Sequence, residues 1–244
     1  MKKTCIIIPI YNSVPNYSEV LSISRNTSIL SCFDIFAIHP NGMDLSEYKQ
    51  FDMIKFQPFP TKYFVSNKTY SKLILSSDFY IPFLKYDYML IAQTDTLIIN
   101  TDYSLNDFVE KEYEYWGAPW PNGPFNGQYR IKEKFKTLFV KNPQNLHVGN
   151  GGFSLRNIKK CYELTKRHHI YLKYIWCLNE DLFFSQMCTC APIHEASQFA
   201  LETNMSEEIL KGNVPFAIHA WEKHLNIDIS SLVDFDEQLL QNTL

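Results

Sequence analysis

The sequence predicts an α/β fold: an open, mostly parallel central sheet flanked by helices, with a less regular second half. Three observations carry this. Short runs rich in β-branched and other apolar residues recur without polar alternation (Ile6–Ile10, Phe33–Ile38, Tyr88–Ala92), as in strands buried on both faces. Segments with apolar residues at helical spacing lie between them. The chain has 244 residues, 45% of them apolar, which is enough to cover such a sheet.

The chain opens MKKTCIIIPI. Two lysines before an apolar stretch imitate an export signal. However, Cys5–Ile10 is too short for one, Pro9 interrupts it and polar Asn12 and Ser13 follow Tyr11, so it is expected to be the first strand. Residues 12–31 carry Val20, Leu21, Ile23, Ile29 and Leu30 at roughly helical spacing. Phe33–Ile38 is the second strand, closed by His39-Pro40-Asn41-Gly42, and Phe51–Phe56 a third. Tyr70 to Leu84 reads as a helix broken near Pro82. Tyr88–Ala92 is the next strand and stops at Gln93-Thr94-Asp95-Thr96. Open parallel sheets bind ligands beyond the carboxyl ends of their strands, where Tyr11, Asn12 and Asp95 fall.

In the second half, residues 116–124 (WGAPWPNGP) read as a loop, and HVGNGGFSLR (147–156) as a glycine-rich turn entering a strand. Asn157–His169 is expected to be a helix, Leu178–Met187 a helix with an acidic start, and Pro215–Ala220 a last short strand. No linker or repeat divides the chain. It is expected to be one domain, with halves of roughly residues 1–110 and 111–244.

Composition narrows the function. A net charge of −3 with no basic block argues against a nucleic-acid binder. No apolar span approaches the length of a transmembrane helix, and no basic amphipathic stretch stands out. The six cysteines are expected to be reduced, those around Cys188-Thr-Cys190 as buried structural thiols. Cys188-Thr-Cys190, with Cys177 and His194 nearby, lacks the usual zinc spacing. Aromatic residues make up 15%, which fills a core but also suits stacking on sugar rings or bases.

Three segments could carry chemistry. Gln93-Thr94-Asp95-Thr96 can be a strand-ending turn. It also resembles a phosphatase D-x-D-x-T motif, but Gln93 stands where the nucleophilic acid belongs, and an amide cannot form an aspartyl-phosphate in one step. In the third reading Asp95 binds a divalent cation that clamps a diphosphate; a single acid then needs a partner, for which His219 is the candidate. Gly149, Gly151 and Gly152 around Asn150 indicate unusual backbone angles or close approach to a ligand. Glu180 and Asp181 can cap a helix. Alternatively, one of them, beside Phe183 and Phe184, can have its pKa raised and remove a proton.

CIIIPIYN, YDYMLIAQTDTLI, YWGAPW, VGNGGFSLRN, NEDLFFS and PFAIHAW occur in the order expected of GT-A-fold glycosyltransferases. From about residue 4 to 222 the chain resembles a bacterial domain-of-unknown-function family of predicted glycosyltransferases. The resemblance implies a GT-A-like (Rossmann-like) fold and transfer of a sugar from a nucleotide-diphosphate donor, a UDP-sugar, to a hydroxyl of a glycan or glycolipid acceptor. Tyr11, Asn12, Lys72, Gln93 and Asp95 would meet the donor. Asp95 and His219 would hold a divalent cation (Mn2+ or Mg2+), although Gln93 replaces the first acid of the D-x-D motif. Asn150, Gly151, Gly152 and Glu180 would border the sugars, Trp116 and Trp120 would stack on the acceptor, and Asp181 would be the general base of an inverting reaction. The resemblance further implies bacterial surface polysaccharide or lipopolysaccharide synthesis in the cytoplasm, with peripheral contact at the inner face of the membrane. A non-catalytic carbohydrate-binding protein is the alternative, and a phosphoryl-transfer enzyme a disfavoured one.

Overall fold

The structure, a computed structural model, describes residues 2–121, 123 and 146–233. In chain order it begins with β1 (Thr4–Pro9), α1 (Tyr17–Ile29), β2 (Asp34–Pro40), β3 (Ile54–Phe59), α2 (Asn67–Ile74), α3 (Ser77–Tyr80) and β4 (Tyr88–Ala92). Then come β5 (Thr96–Ile98), α4 (Leu105–Val109), β6 (Tyr115–Trp116), β7 (Phe153–Asn157), α5 (Ile158–Arg167), α6 (His169–Tyr174) and α7 (Glu180–Met187). The last are α8 (Ile193–Phe199), β8 (Ala200–Leu201), α9 (Met205–Leu210), β9 (Ala217–His219) and α10 (Trp221–His224).

The main sheet runs β3-β2-β1-β4-β7-β6. Its first three pairings are parallel; β7 runs antiparallel to both β4 and β6. The expected open, mostly parallel sheet is therefore present. Its strands lack alternation because both faces are covered. Ile6, Ile8, Leu90 and Ala92 join one core with Ile23 of α1, whereas Cys5, Ile7, Met89 and Ile91 join another with Leu73, Phe79 and Ile158.

Several boundaries differ from the sequence expectation, each for a local reason. α1 starts at Tyr17 because Asn16 and Glu19 form a reciprocal capping box. β3 starts at Ile54, since Phe51 still closes a 3-10 turn onto the Tyr48 carbonyl. The helix expected over 70–84 is α2, capped by Ser66, then the single turn α3, capped by Ser76; Pro82 lies in a 3-10 turn. Within WGAPWPNGP, Trp116 belongs to β6 rather than a loop, and Asn122 and Pro124 lie outside the described residues.

A second, small sheet, β5-β9-β8, has strands of two or three residues; β9 falls inside the strand expected at Pro215–Ala220, whereas β5 and β8 are not marked by periodicity. Asn26, buried on α1, holds it in place. Its Nδ2 donates to the Thr96 carbonyl at 2.8 Å and its Oδ1 accepts from the Ile98 amide at 2.9 Å. A satisfied buried amide is directional, so it fixes where β5 lies against α1.

Candidate active site

Three strand ends of the small sheet build one wall of a cleft of about 480 Å³. Asp95 immediately precedes β5. Antiparallel pairing sets Thr96 opposite His219, the last residue of β9, and the Ala220 amide donates to the Asp95 carbonyl at 2.9 Å. Glu202 follows β8, which pairs in parallel with β9, so its carboxylate reaches the other side of the imidazole. His219 Nε2 stands 3.4 Å from Asp95 Oδ1 and Nδ1 3.4 Å from Glu202 Oε1; among the described residues Nδ1 has no partner with hydrogen-bonding geometry. The other Glu202 oxygen accepts from Asn150 Nδ2 at 2.6 Å, and Asn150 Oδ1 accepts from the Gly152 amide at 2.9 Å.

The electrostatics of this wall follow from its charges. Burial opposes protonation of His219, which is 8% exposed, but the two flanking carboxylates outweigh it and raise its pKa to about 9. For Asp95, burial works upward, yet His219 and Lys223 hold it below the usual carboxylate range. Just after His219, Ala220 takes a left-handed conformation (φ +53°), a costly backbone for a residue with a Cβ and one that turns the chain into α10.

The glycine-rich turn forms the floor. A Cβ on Gly152 would sit 2.1 Å from His219 Nε2, and one on Gly151 would sit 2.5 Å from Glu180 Oε1. Only glycine lets both side chains rest on the turn. The Gln93 amide, just past β4, fixes it by donating to the Gly152 carbonyl at 2.9 Å.

The start of α7 makes the opposite wall. Glu180 is buried; its Oε2 accepts from Ser71 Oγ at 2.5 Å and its Oε1 lies 3.6 Å from Arg156 Nη2. Arg156 reaches it from β7 with a fully buried guanidinium centred 5.2 Å from the rings of both Tyr115 and Phe184. Its Nε donates to Ser154 Oγ at 3.0 Å; among the described residues Nη1 and Nη2 have no hydrogen-bond partner, and Glu180 is the counter-charge. Half-buried Asp181 forms no ion pair among the described residues. Burial and the adjacent Glu180 raise its pKa to about 8, against the pull of the Leu182 amide on Oδ1 at 2.7 Å. One wall thus groups acids around an imidazole, and the other offers a carboxyl suited to proton exchange near neutrality.

Of the residues singled out from sequence, Tyr11, Gln93, Asp95, Asn150, Gly151, Gly152, Glu180, Asp181 and His219 line this cleft. Four do not. Asn12 is exposed, and its carbonyl accepts from Tyr48 instead. Lys72 points to solvent from α2, whereas Lys223 reaches the cleft. Trp116 is fully buried against Phe108, Tyr113 and Phe199, so no ring face is left for a sugar. Trp120 is half-buried over Gly149, where a Cβ would meet its ring at 2.3 Å, and lies outside the cleft lining. The sequence reading missed Glu202, Ser71 and Arg156. The first two carried no motif; Arg156 was signalled only by a charge inside the strand that follows the glycine-rich turn.

The architecture is that of GT-A glycosyltransferases. An active-site mutant of LgtC superposes with a TM-score of 0.59 at 13% identity, over 98% of this chain and 100% of that one. Galactosyltransferase LgtC in complex with donor and acceptor sugar analogues gives 0.53 at 14% identity, with the same coverage. The apo structure of the bifunctional glycosyltransferase WbbM gives 0.55 at 12% identity, over 99% of this chain but 50% of that one. No curated protein matches by sequence. Residues 53–219 match the model of a protein family of unknown function, DUF5672, and the chain belongs to that family.

Proposed function

We propose that this protein transfers a sugar from a nucleoside-diphosphate donor to a hydroxyl of a glycan acceptor, with inversion at the anomeric carbon. The observation that carries the reading is the opposition of Asp95–His219–Glu202 to Glu180–Asp181 across Gly151-Gly152, at the carboxyl ends of β1 and β4. In this mechanism Asp181 takes the proton of the acceptor hydroxyl as its oxygen attacks the anomeric carbon. The bond from that carbon to the diphosphate oxygen breaks on the opposite face. Glu180, held by Ser71 and Arg156, accepts hydrogen bonds from sugar hydroxyls. Lys223, at the cleft rim, offsets diphosphate charge, the role the sequence assigned to Lys72.

The Asp95 wall fits a divalent cation. Adjacent ligands of an octahedral ion lie roughly 3 Å apart, close to the 3.4 Å between His219 Nε2 and Asp95 Oδ1. Glu202 faces the second ring nitrogen, as the outer carboxylate of a histidine ligand does. Among the described residues no three such side chains converge, so donor oxygens and water would complete the shell. When bound, the ion would offset the charge of the departing diphosphate. The sequence resemblance supports UDP as the nucleotide, and a bacterial surface polysaccharide or lipopolysaccharide, made in the cytoplasm, as the product.

The test is thermal unfolding of the protein with UDP-, GDP-, CMP- and dTDP-sugars, each with and without Mn2+. A ligand of the native state raises Tm by mass action. A selective rise with one nucleotide class, enhanced by Mn2+, is expected. Stabilisation by glycans with no response to any nucleotide sugar would overturn transfer in favour of carbohydrate binding alone.

A further inference from the structure

We propose that the outer face of the α5–α6 corner docks the protein onto an anionic lipid surface. Lys166, Arg167 and Lys173 would meet the head groups, and Ile170, Tyr174 and Ile175 would enter the boundary with the acyl chains. The sequence shows no basic amphipathic helix because the feature is split. His168 both ends α5 and starts α6, with φ −100° and ψ 14°, so the basic last turn of one helix abuts the apolar face of the next.

Exposure defines the face. Ile170 is 61% exposed, Tyr174 71% and Ile175 51%, whereas Leu172 on the inner side is 6% exposed and packs in the core. Positions 170, 173 and 174 fall on one stripe of the helix. Large apolar side chains in a cluster this open are unusual on a soluble surface and mark a contact.

Charge decides what the contact is. The chain is net negative at −3, yet residues 164–175 (LTKRHHIYLKYI) hold no acid. Among the described residues none of the three cations forms an ion pair; Lys166 and Lys173 only overlie the neighbouring rings of Tyr162 and Tyr174, at 5.6 and 5.0 Å. Cations ringing exposed Ile and Tyr match a surface that is negative outside and apolar just beneath, the chemistry of an anionic bilayer interface. No helix among the described residues is long and apolar enough to cross a membrane, so the contact would be made by a face. Four residues beyond Ile175, Asn179 lines the cleft, and buried Trp176 fixes the link by donating to the Asn179 carbonyl at 3.3 Å. The inference is independent of the proposed reaction.

Cosedimentation with vesicles of phosphatidylglycerol and phosphatidylethanolamine, against phosphatidylcholine alone, tests it. Binding is expected to the anionic vesicles only, and to weaken with salt. Each cation near an anionic leaflet contributes roughly fivefold, so K166Q/R167Q/K173Q should reduce binding about a hundredfold. I170S/Y174S should also weaken it while leaving Tm unchanged, since both side chains are mostly in water. Equal binding to neutral and anionic vesicles, or wild-type binding by both variants, would overturn the proposal. So would a wild-type dimer that I170S/Y174S converts to a monomer, because the face would then join two copies of the chain.

Discussion

Asp95 and Asp181 face one cleft from opposite walls, yet their surroundings drive them to opposite protonation states. Burial penalises the charge on both. At Asp95 the imidazolium of His219 and the ammonium of Lys223 reverse that penalty. At Asp181 the nearest strong charge is the Glu180 carboxylate, which adds to it and leaves the pKa at about 8. Arg156 offsets only part of this, because it faces Glu180 instead, at 3.6 Å. Assignment of roles therefore depends on which carboxylate each fixed cation faces, not on residue type. A wall that keeps its acid ionised suits a cation and a diphosphate. A wall that keeps its acid near neutrality suits proton transfer.

The largest effect that could break this contrast is loss of the proposed base. With the donor identified by thermal shift, Asp181→Asn should lower the transfer rate by about 10²–10⁴-fold. In the wild-type protein kcat/KM should rise with pH toward about 8, because in the proposed mechanism Asp181 must lose its proton to act. Near-normal transfer by the variant would remove the proton acceptor from this wall and leave retention of configuration as the better reading.

Next in size is a change to the floor that both walls share. Gly152→Ala forces a methyl to within 2.1 Å of the His219 ring. Overpacking of this kind costs about 1–3 kcal/mol, or roughly 2–12 °C in Tm for a chain of this length. The response to Mn2+ should vanish with it. Gly42→Ala is the control: its φ is +76° with nothing within 4 Å, so it carries backbone strain without touching the cleft. Equal Tm values for Gly152→Ala and wild type would mean that the imidazole is not seated on the turn.

The same contrast shows what was legible in the sequence. β1 and β4 stand out because they are buried on both faces and written in unbroken apolar runs, and β4 falls where expected, at Tyr88–Ala92. Of the strands that set Asp95 and Glu202 around His219, β9 lies inside the expected Pro215–Ala220, but β5 and β8 are three and two residues long, too short to show any period. Glu202 acquires its place only through β8 pairing with β9 and through Asn150, 52 residues away. Trp116 illustrates the converse error. Composition shows that aromatic rings are abundant but not which way each one faces, and this one closes the core. The α5–α6 surface was invisible for a third reason: a single residue, His168, divides its pattern between two helices.

A smaller effect sharpens the Asp95 wall. Glu202→Gln keeps the shape beside His219 but removes the charge facing Nδ1, and should weaken Mn2+ binding by roughly 10–100-fold. A metal must displace the proton from the imidazole, so wild-type affinity should grow about tenfold per pH unit up to pH 9 or so. Titration calorimetry without donor measures both. An affinity that stays flat between pH 7 and 9 would exclude His219 as a ligand.

The smallest effect separates the walls through stability alone, in protein free of metal. Asp181 titrates at about 8 in the folded state against an ordinary 3.8 when unfolded. Between those values the folded chain holds a proton that the unfolded chain does not. That contribution is complete at low pH and is lost as pH rises through about 8. His219, at about 9 against 6.5, adds a second loss over that higher window. Asp95, lowered from 3.8, acts in the other direction: its contribution is present above that value and disappears on acidification below it. Asp181→Asn abolishes only the first of these. Its Tm should fall less than the wild-type Tm between pH 5 and 8, and exceed it at pH 8. The variant would then be the more stable and the less active protein, as expected where a carboxylate is buried beside another for the sake of its proton. Parallel Tm curves for the two proteins across this range would show that Asp181 is ionised throughout, and the two walls would no longer differ.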